Sequence, residues 1–170
     1  MEFLSITSAE DYRVEKIFSA YTSTFPEDER RDENKFLKLF SNPYCEMISI
    51  LEDAQNVGYL ILWNLTNRTF VEHFEVFEEF RSKKYGSGIL QHLSQNHPRL
   101  ILEIEPETLN KDAERRYHFY QKNGFQIIDD TYIQPSYGEG KNPLNLWLMA
   151  NYNPENIEEI KEEIYDIVYR

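Results

Sequence analysis

Basic and small residues meet once in this chain, at Phe80-Arg81-Ser82-Lys83-Lys84-Tyr85-Gly86-Ser87-Gly88-Ile89-Leu90. The opening turn of a helix carries backbone N–H groups without partners and the positive end of the helix dipole, and together these bind phosphate. Backbone reaches an anion closely only where side chains are small. Gly86, Ser87 and Gly88 meet that need, Arg81, Lys83 and Lys84 add charge, and Ile89, Leu90 and Leu93 give the helix a buried face. The loop is not of the nucleoside-triphosphate type, because no Gly-Lys-Ser/Thr follows four residues after a glycine. It is a poor dinucleotide fingerprint as well, lacking the third glycine and an acidic residue at a strand end roughly twenty residues on. Taken alone, the stretch also reads as a solvated basic turn before an ordinary helix.

A second segment, Arg116-Tyr117-His118-Phe119-Tyr120-Gln121-Lys122-Asn123-Gly124-Phe125, reads as a helix bearing an aromatic pair, stopped by Asn-Gly, with Phe125 opening a strand. The Arg-x-x-x-x-Gly-x-Gly loop and this Phe-Tyr-x-x-x-Gly-Phe segment together resemble the GCN5-related N-acetyltransferase (GNAT) superfamily. The likeness runs from Phe3 to Ala150 and includes the order of elements. It implies an α/β fold with a mixed, mostly antiparallel sheet flanked by helices. Residues 1–150 would form the acetyltransferase domain, and 151–170 an extra helical extension of it. The co-substrate implied is acetyl-CoA, with no metal.

On that resemblance the loop residues Arg81, Ser82, Lys83, Lys84, Tyr85, Gly86, Ser87 and Gly88 grip the coenzyme A pyrophosphate. Phe74, Glu75 and Val76 pair with pantetheine as a neighbouring strand would, and Tyr117 completes the cofactor side. Two departures stand out. The inner glycine of the family loop is Lys84 here, and the Asn that the family often places seven residues before its Tyr is Ala113, with Asn110 one turn earlier as a substitute.

Transfer of acetyl from a thioester to an amine needs a neutral amine, a donor for the oxyanion, and a proton or stabilisation for the departing thiolate. In the family the tyrosine at the place of Tyr120 is the general acid. Its ordinary pKa near 10 is close to that of a thiolate, so the transfer is nearly balanced. A backbone N–H near Val76 would serve the oxyanion. For the base, Glu72 shares the strand phase of a catalytic Glu in the histone-acetylating members, and His73 is the alternative, needing no pKa shift. Strand alternation predicts that at most one of the two faces the substrate. The acceptor is expected between the Phe25–Arg30 link and the late loop, with Phe25, Arg30, His73, Tyr137 and Glu139 as contacts. Arg30 would suit a carboxylate and Glu139 an ammonium, although both also read as surface charges.

These groups need a scaffold. The sequence predicts a strand at Phe3–Thr7, a helix capped by Ser8 and Asp11 with Val14, Ile17, Phe18 and Tyr21 on one face, and a second helix over Asn34–Phe40. Met47–Glu52 and Val57–Trp63 read as a hairpin, followed by a strand at Thr69–Val76. The basic loop opens a helix to Asn96. A strand at Leu100–Ile104, a helix at Asp112–Lys122 and strands at Phe125–Ile128 and Leu144–Met149 complete the order. A final helix from Asn153-Pro154 carries an isoleucine stripe that must be covered, by its own domain or by exchange in a homodimer.

Composition bounds the rest. With 170 residues, 12 Tyr and 11 Phe, the chain holds enough apolar material for one core. One cysteine, Cys45, excludes an internal disulfide. The absence of a secretory start and of a long apolar run points to the cytoplasm rather than a membrane. A net charge of −12 argues against nucleic acid as a partner. The reading is thus an N-acetyltransferase acting on a primary amine of a small molecule or peptide. The alternatives are a catalytically silent acyl-CoA-binding or partner-docking module, kept open by Lys84 and Ala113, and a protein lysine acetyltransferase.

Overall fold

Long apolar alternation in the first half of the chain builds an antiparallel meander, and one short parallel pairing then opens it. The computed structural model describes residues 1–170. Strands β1 (Glu2–Ile6), β2 (Cys45–Glu52), β3 (Gln55–Leu65) and β4 (Arg68–Val76) pair antiparallel in sequence order. β5 (Leu100–Ile104) then lies parallel to β4. β9 (Trp147–Ala150) pairs antiparallel with both β5 and β6 (Gln126–Asp129), giving a seven-stranded sheet in the order β1-β2-β3-β4-β5-β9-β6. Two short strands, β7 (Ile133–Gln134) and β8 (Leu144–Asn145), form a separate ribbon.

The sequence expects a single strand at Leu144–Met149. It is divided because the Leu146 N–H turns to the Tyr132 carbonyl (3.0 Å), which takes β8 out of the main sheet.

Helices cover both faces. On one, α1 (Arg13–Thr24) lays Val14, Ile17 and Tyr21 on the sheet, joined by Phe36 of α2 (Glu33–Lys38) and by Ile160 and Ile164 of α5 (Ile157–Ile167). On the other, α3 (Tyr85–Asn96) buries Ile89, Leu90 and Leu93, while Phe119 and Tyr120 of α4 (Lys111–Lys122) pack at the margin of the same cluster. The isoleucine stripe of α5 is therefore covered by its own chain. Burying each such side chain contributes about 2 kcal/mol, enough to hold an 11-residue helix whose outer face is acidic.

Helix starts lie later than the sequence suggests. The Ser8 and Asp11 side chains accept from Glu10 N and Arg13 N instead of closing a capping box, so α1 begins at Arg13. α5 begins after Asn156, whose side chain accepts from Glu159 N (3.2 Å), and not at Asn153. No helix is long and apolar enough to cross a membrane.

Candidate active site

The parallel pairing of β4 with β5 extends only over Thr69–Val71 against Leu100–Leu102. Beyond it the two strands separate, because Glu103 and Ile104 continue along β9 while Glu72–Val76 stays with β3. The gap enlarges into a cleft of about 750 Å³ that reaches both faces of the sheet. That volume suits an extended cofactor arm together with a small second substrate. Phe77 gives its N–H to the Val57 carbonyl on β3 (3.0 Å), so strand alternation turns the Val76 N–H toward the opposite edge, into the gap. The Val76 carbonyl faces the same way and accepts from Arg81 Nε (3.0 Å).

The basic loop ends one mouth of the cleft. Arg81, Ser82, Lys84, Tyr85, Gly86 and Ser87 line it, whereas Lys83 and Gly88 do not. α3 has no side-chain N-cap, which leaves its first amides open to a ligand. Lys84, standing where the family has glycine, adopts left-handed backbone (φ 65°), as does Ser82 (φ 64°). A β-carbon there costs about 1 kcal/mol, and the lysine side chain is exposed, so it does not fill the loop. Arg81 is engaged by Glu75 (3.2 Å) and anchors the loop to β4. Gly86 has a second reason to be glycine: a Cβ there would stand 3.0 Å from Cζ of Phe119 on α4.

Tyr120 is placed by the end of its own helix. Gly124 takes φ 89°, the Gly124 N–H closes on Gln121 O (3.1 Å), and the Phe125 N–H closes on Tyr120 O (3.1 Å). This 6→1, 5→2 pattern is a Schellman stop, and the Phe125 ring packs on the Tyr120 ring at 5.8 Å as that stop favours. The Asn-Gly-Phe sequence thus fixes the phenol that precedes it. Tyr120 lines the cleft, and burial pushes its pKa up to about 12, so it stays a proton donor. Tyr117 lies elsewhere, with its ring against Trp147 (5.9 Å). Asn110 spends its side chain capping α4, accepting from Asp112 N and Ala113 N.

β4 breaks the alternation expected at Glu72 and His73. Its register against β3 skips from Val71–Leu62 to His73–Ile61, so Glu72 is an extra, bulged residue. Both side chains therefore turn to the α1–α2 face. There Glu72 meets Arg31 and Trp63, His73 meets Tyr21 and Phe25, and Tyr137 touches both. Phe74 and Val76 pack with the α3 side, and Glu75 returns to the first face, where Tyr59 (3.0 Å) and Thr24 (2.6 Å) hold it.

The Glu72 carboxylate accepts from Arg31, from Trp63 Nε1 (2.8 Å) and from the Tyr137 hydroxyl (2.8 Å). Burial alone would raise its pKa, but the adjacent guanidinium and these donors hold it below the ordinary value. A saturated, ion-paired carboxylate of this kind is a poor proton acceptor, which corrects the expectation of a base. His73 is 4% exposed, and neither ring nitrogen has a hydrogen-bond partner. Burial lowers its pKa to about 4.

Two groups escaped the sequence reading. Glu103 lines the cleft from β5, its carboxylate oxygens held by the hydroxyls of Tyr132 and Tyr169 (2.7 Å to the latter). Burial, with Glu72 and Glu29 nearby, pushes its pKa up to about 8 despite those two donors. A charged residue inside the apolar run Leu100–Ile104 was a signal available in the sequence. Arg31 gave none, standing in the charged run Arg30-Arg31-Asp32. Of the expected acceptor contacts, Phe25, His73 and Tyr137 line the cleft. Arg30 instead donates to the Phe25 carbonyl (3.0 Å), and Glu139 is exposed on its loop, away from the cleft.

The family model described as an acetyltransferase (GNAT) domain matches residues 43–127, which span the hairpin, the basic loop and the tyrosine helix. A GNAT-family protein from Bacteroides thetaiotaomicron has a solved structure that superposes with a TM-score of 0.92 at 27% identity, covering 99% of this chain and 98% of that one. More distant folds include a GNAT acetyltransferase from Elizabethkingia anophelis with acetyl-CoA bound (TM-score 0.59, 15% identity, 88% and 95% covered). Another is PaiA N-acetyltransferase from Thermoplasma acidophilum in complex with coenzyme A (0.58, 17%, 90% and 100%). No curated protein matches the chain in sequence. With the matched segment carrying the splayed strand, the open helix start and the tyrosine helix together, this chain belongs to the GNAT acetyltransferase family.

Proposed function

We propose that the protein transfers acetyl from acetyl-CoA to a primary amine of a small molecule or peptide, by direct attack within a ternary complex. The observation that carries this is the unpaired edge of β4 at Glu72–Val76. It lies between a helix start suited to a diphosphate on one side and a wall of aromatic and acidic side chains on the other. The residues present fit the coenzyme: open amides at Tyr85–Ser87, exposed Lys84, and a strand edge able to pair with pantetheine amides.

In this reading the Val76 N–H stabilises the oxyanion. Glu103 accepts the proton that the acceptor's ammonium must lose, directly or through water. The amine nitrogen then forms its bond to the thioester carbon, the carbon–sulfur bond breaks, and the Tyr120 hydroxyl gives the departing sulfur its proton. The proton that the new amide nitrogen still has to lose passes through water to the Tyr120 phenolate and restores it. Glu103 is preferred over Glu72 because a base needs a pKa near the working pH, and burial lifts Glu103 to about 8 while Arg31 holds Glu72 low. His73 supplies hydrogen-bonding capacity rather than charge, since it is neutral at pH 7. The acidic Glu29 and Glu103, with Phe25 and Tyr137, favour a cationic amine with an apolar body.

The test is release of free thiol from acetyl-CoA across a panel of amines, in wild type and Tyr120→Phe. Thiol release by the wild type with at least one amine, sharply reduced in the variant, is the expected result. Coenzyme binding without turnover on any amine would favour a silent module instead.

A further inference from the structure

Tyr169, two residues beyond α5, reaches a side chain that lines the cleft. α5 ends at Ile167, and the next carbonyl, that of Val168, accepts from the buried Arg31 guanidinium (2.8 Å). This pins the backbone where Tyr169 follows. The Tyr169 ring packs on the Tyr137 ring (5.1 Å), and its hydroxyl lies 2.7 Å from Glu103 Oε2. A phenol has one proton to give. That of Tyr137 is directed to Glu72 at 2.8 Å, and the Tyr137–Tyr169 hydroxyl contact is a longer 3.5 Å. The Tyr169 proton is therefore free for Glu103.

We propose that Tyr169 is a positioning residue: the tail helix delivers its hydroxyl to Glu103, where it orients the carboxylate and sets how readily it takes a proton. The proposal rests on Glu103 as the base only for its catalytic meaning, because the effect on the carboxylate itself can be measured separately. Other groups facing Glu103 are the Tyr132 hydroxyl from the loop before β7, Glu72 from β4, Glu29 from the turn after α1, and Tyr137 and Tyr165 more distantly. Of these only Tyr132 and Tyr169 donate to it. Tyr132 is 1% exposed in the core, so Tyr169 is the donor whose removal disturbs least. A hydrogen bond to the charged form of an acid lowers its pKa, and losing that bond raises it.

The experiment is a pH titration of the Glu103 side-chain carboxyl by carbon-13 NMR in the full chain, the signal assigned by its loss in Glu103→Gln. Tyr169→Phe is expected to move the midpoint up by about one pH unit. Tyr169→Leu should do the same, and covers the case in which the first variant folds poorly. Tyr165→Phe, whose hydroxyl donates to Ile133 O (2.8 Å), should leave the midpoint in place. An unmoved midpoint in both Tyr169→Phe and Tyr169→Leu overturns the proposal. Thiol-release profiles against pH separate the two ideas: a base at Glu103 should make the wild-type rate rise on the alkaline side as that carboxyl loses its proton. If Glu103→Gln keeps the alkaline rise of the wild type, Glu103 is not the base, whatever the titration reports. If that rise disappears while Tyr169→Phe leaves the midpoint fixed, the base stands and the role of Tyr169 falls.

Discussion

Arg31 and Glu72 form an ion pair inside the protein, with side chains 7% and 0% exposed. The guanidinium lies over the rings of Trp63 (5.3 Å) and Tyr137 (5.0 Å), and so joins the turn after α1 to β4, the late loop and the tail. Such a pair contributes little net stability, because desolvation offsets the attraction, but removing one partner strands a buried charge.

Arg31→Met should therefore destabilise the protein by about 3–5 kcal/mol in urea unfolding at pH 7. Arg31→Met combined with Glu72→Gln should recover part of that loss, since no charge is left unpaired. Additive losses in the double variant would mean that the pair is not coupled.

Tyr120→Phe should lower the turnover number by about 10²-fold while leaving the dissociation constant of acetyl-CoA within about twofold. The Phe125 packing and the Schellman stop survive the loss of a hydroxyl. A weakened coenzyme affinity with unchanged turnover would assign the hydroxyl to binding.

His73 makes the fold sensitive to acid. An unfolded histidine takes up a proton below pH 6.5, whereas the buried ring waits until about pH 4. Its contribution is complete above pH 6.5 and is lost as the pH falls to 4, by roughly 3 kcal/mol in all. His73→Phe should flatten that part of the stability profile measured by urea unfolding between pH 7 and 4. An unchanged slope would mean that the ring is protonated in the native protein.

Two glycines should respond differently to alanine. Nothing lies within 4 Å of a Cβ at Gly124, but φ 89° makes any side chain strained, so Gly124→Ala should cost about 1–2 kcal/mol. At Gly86 the helix gains about 1 kcal/mol from alanine, which offsets the displacement of Phe119. Gly86→Ala should therefore keep its melting temperature and lose several-fold in acetyl-CoA affinity by isothermal titration. A melting temperature that falls more in Gly86→Ala than in Gly124→Ala would reverse this account.

The loop before α3 and the tyrosine helix were legible in the sequence because they rest on local rules. Asn123-Gly124-Phe125 announces the stop that fixes Tyr120, and small residues at 86–88 announce a helix start. The wall of the cleft on the α1–α2 face was not. Glu72 and His73 seemed to exclude each other because a bulge has no mark in the residues that form it. Arg31, Glu103 and Tyr169 come from three distant parts of the chain, and only the folded sheet brings them within reach of one another. Arg30 and Glu139, which looked suited to charge recognition, are held away by a backbone hydrogen bond and by an exposed loop.

The extra residue in β4 has a consequence for how the strand can change. Val71 pairs with Leu62 and His73 with the adjacent Ile61, so removing residue 72 alone would close the ladder and leave every later side chain on its present face. The insertion thus adds one carboxylate to the α1–α2 wall, where Arg31, Trp63 and Tyr137 meet it, without disturbing the strand edge that follows.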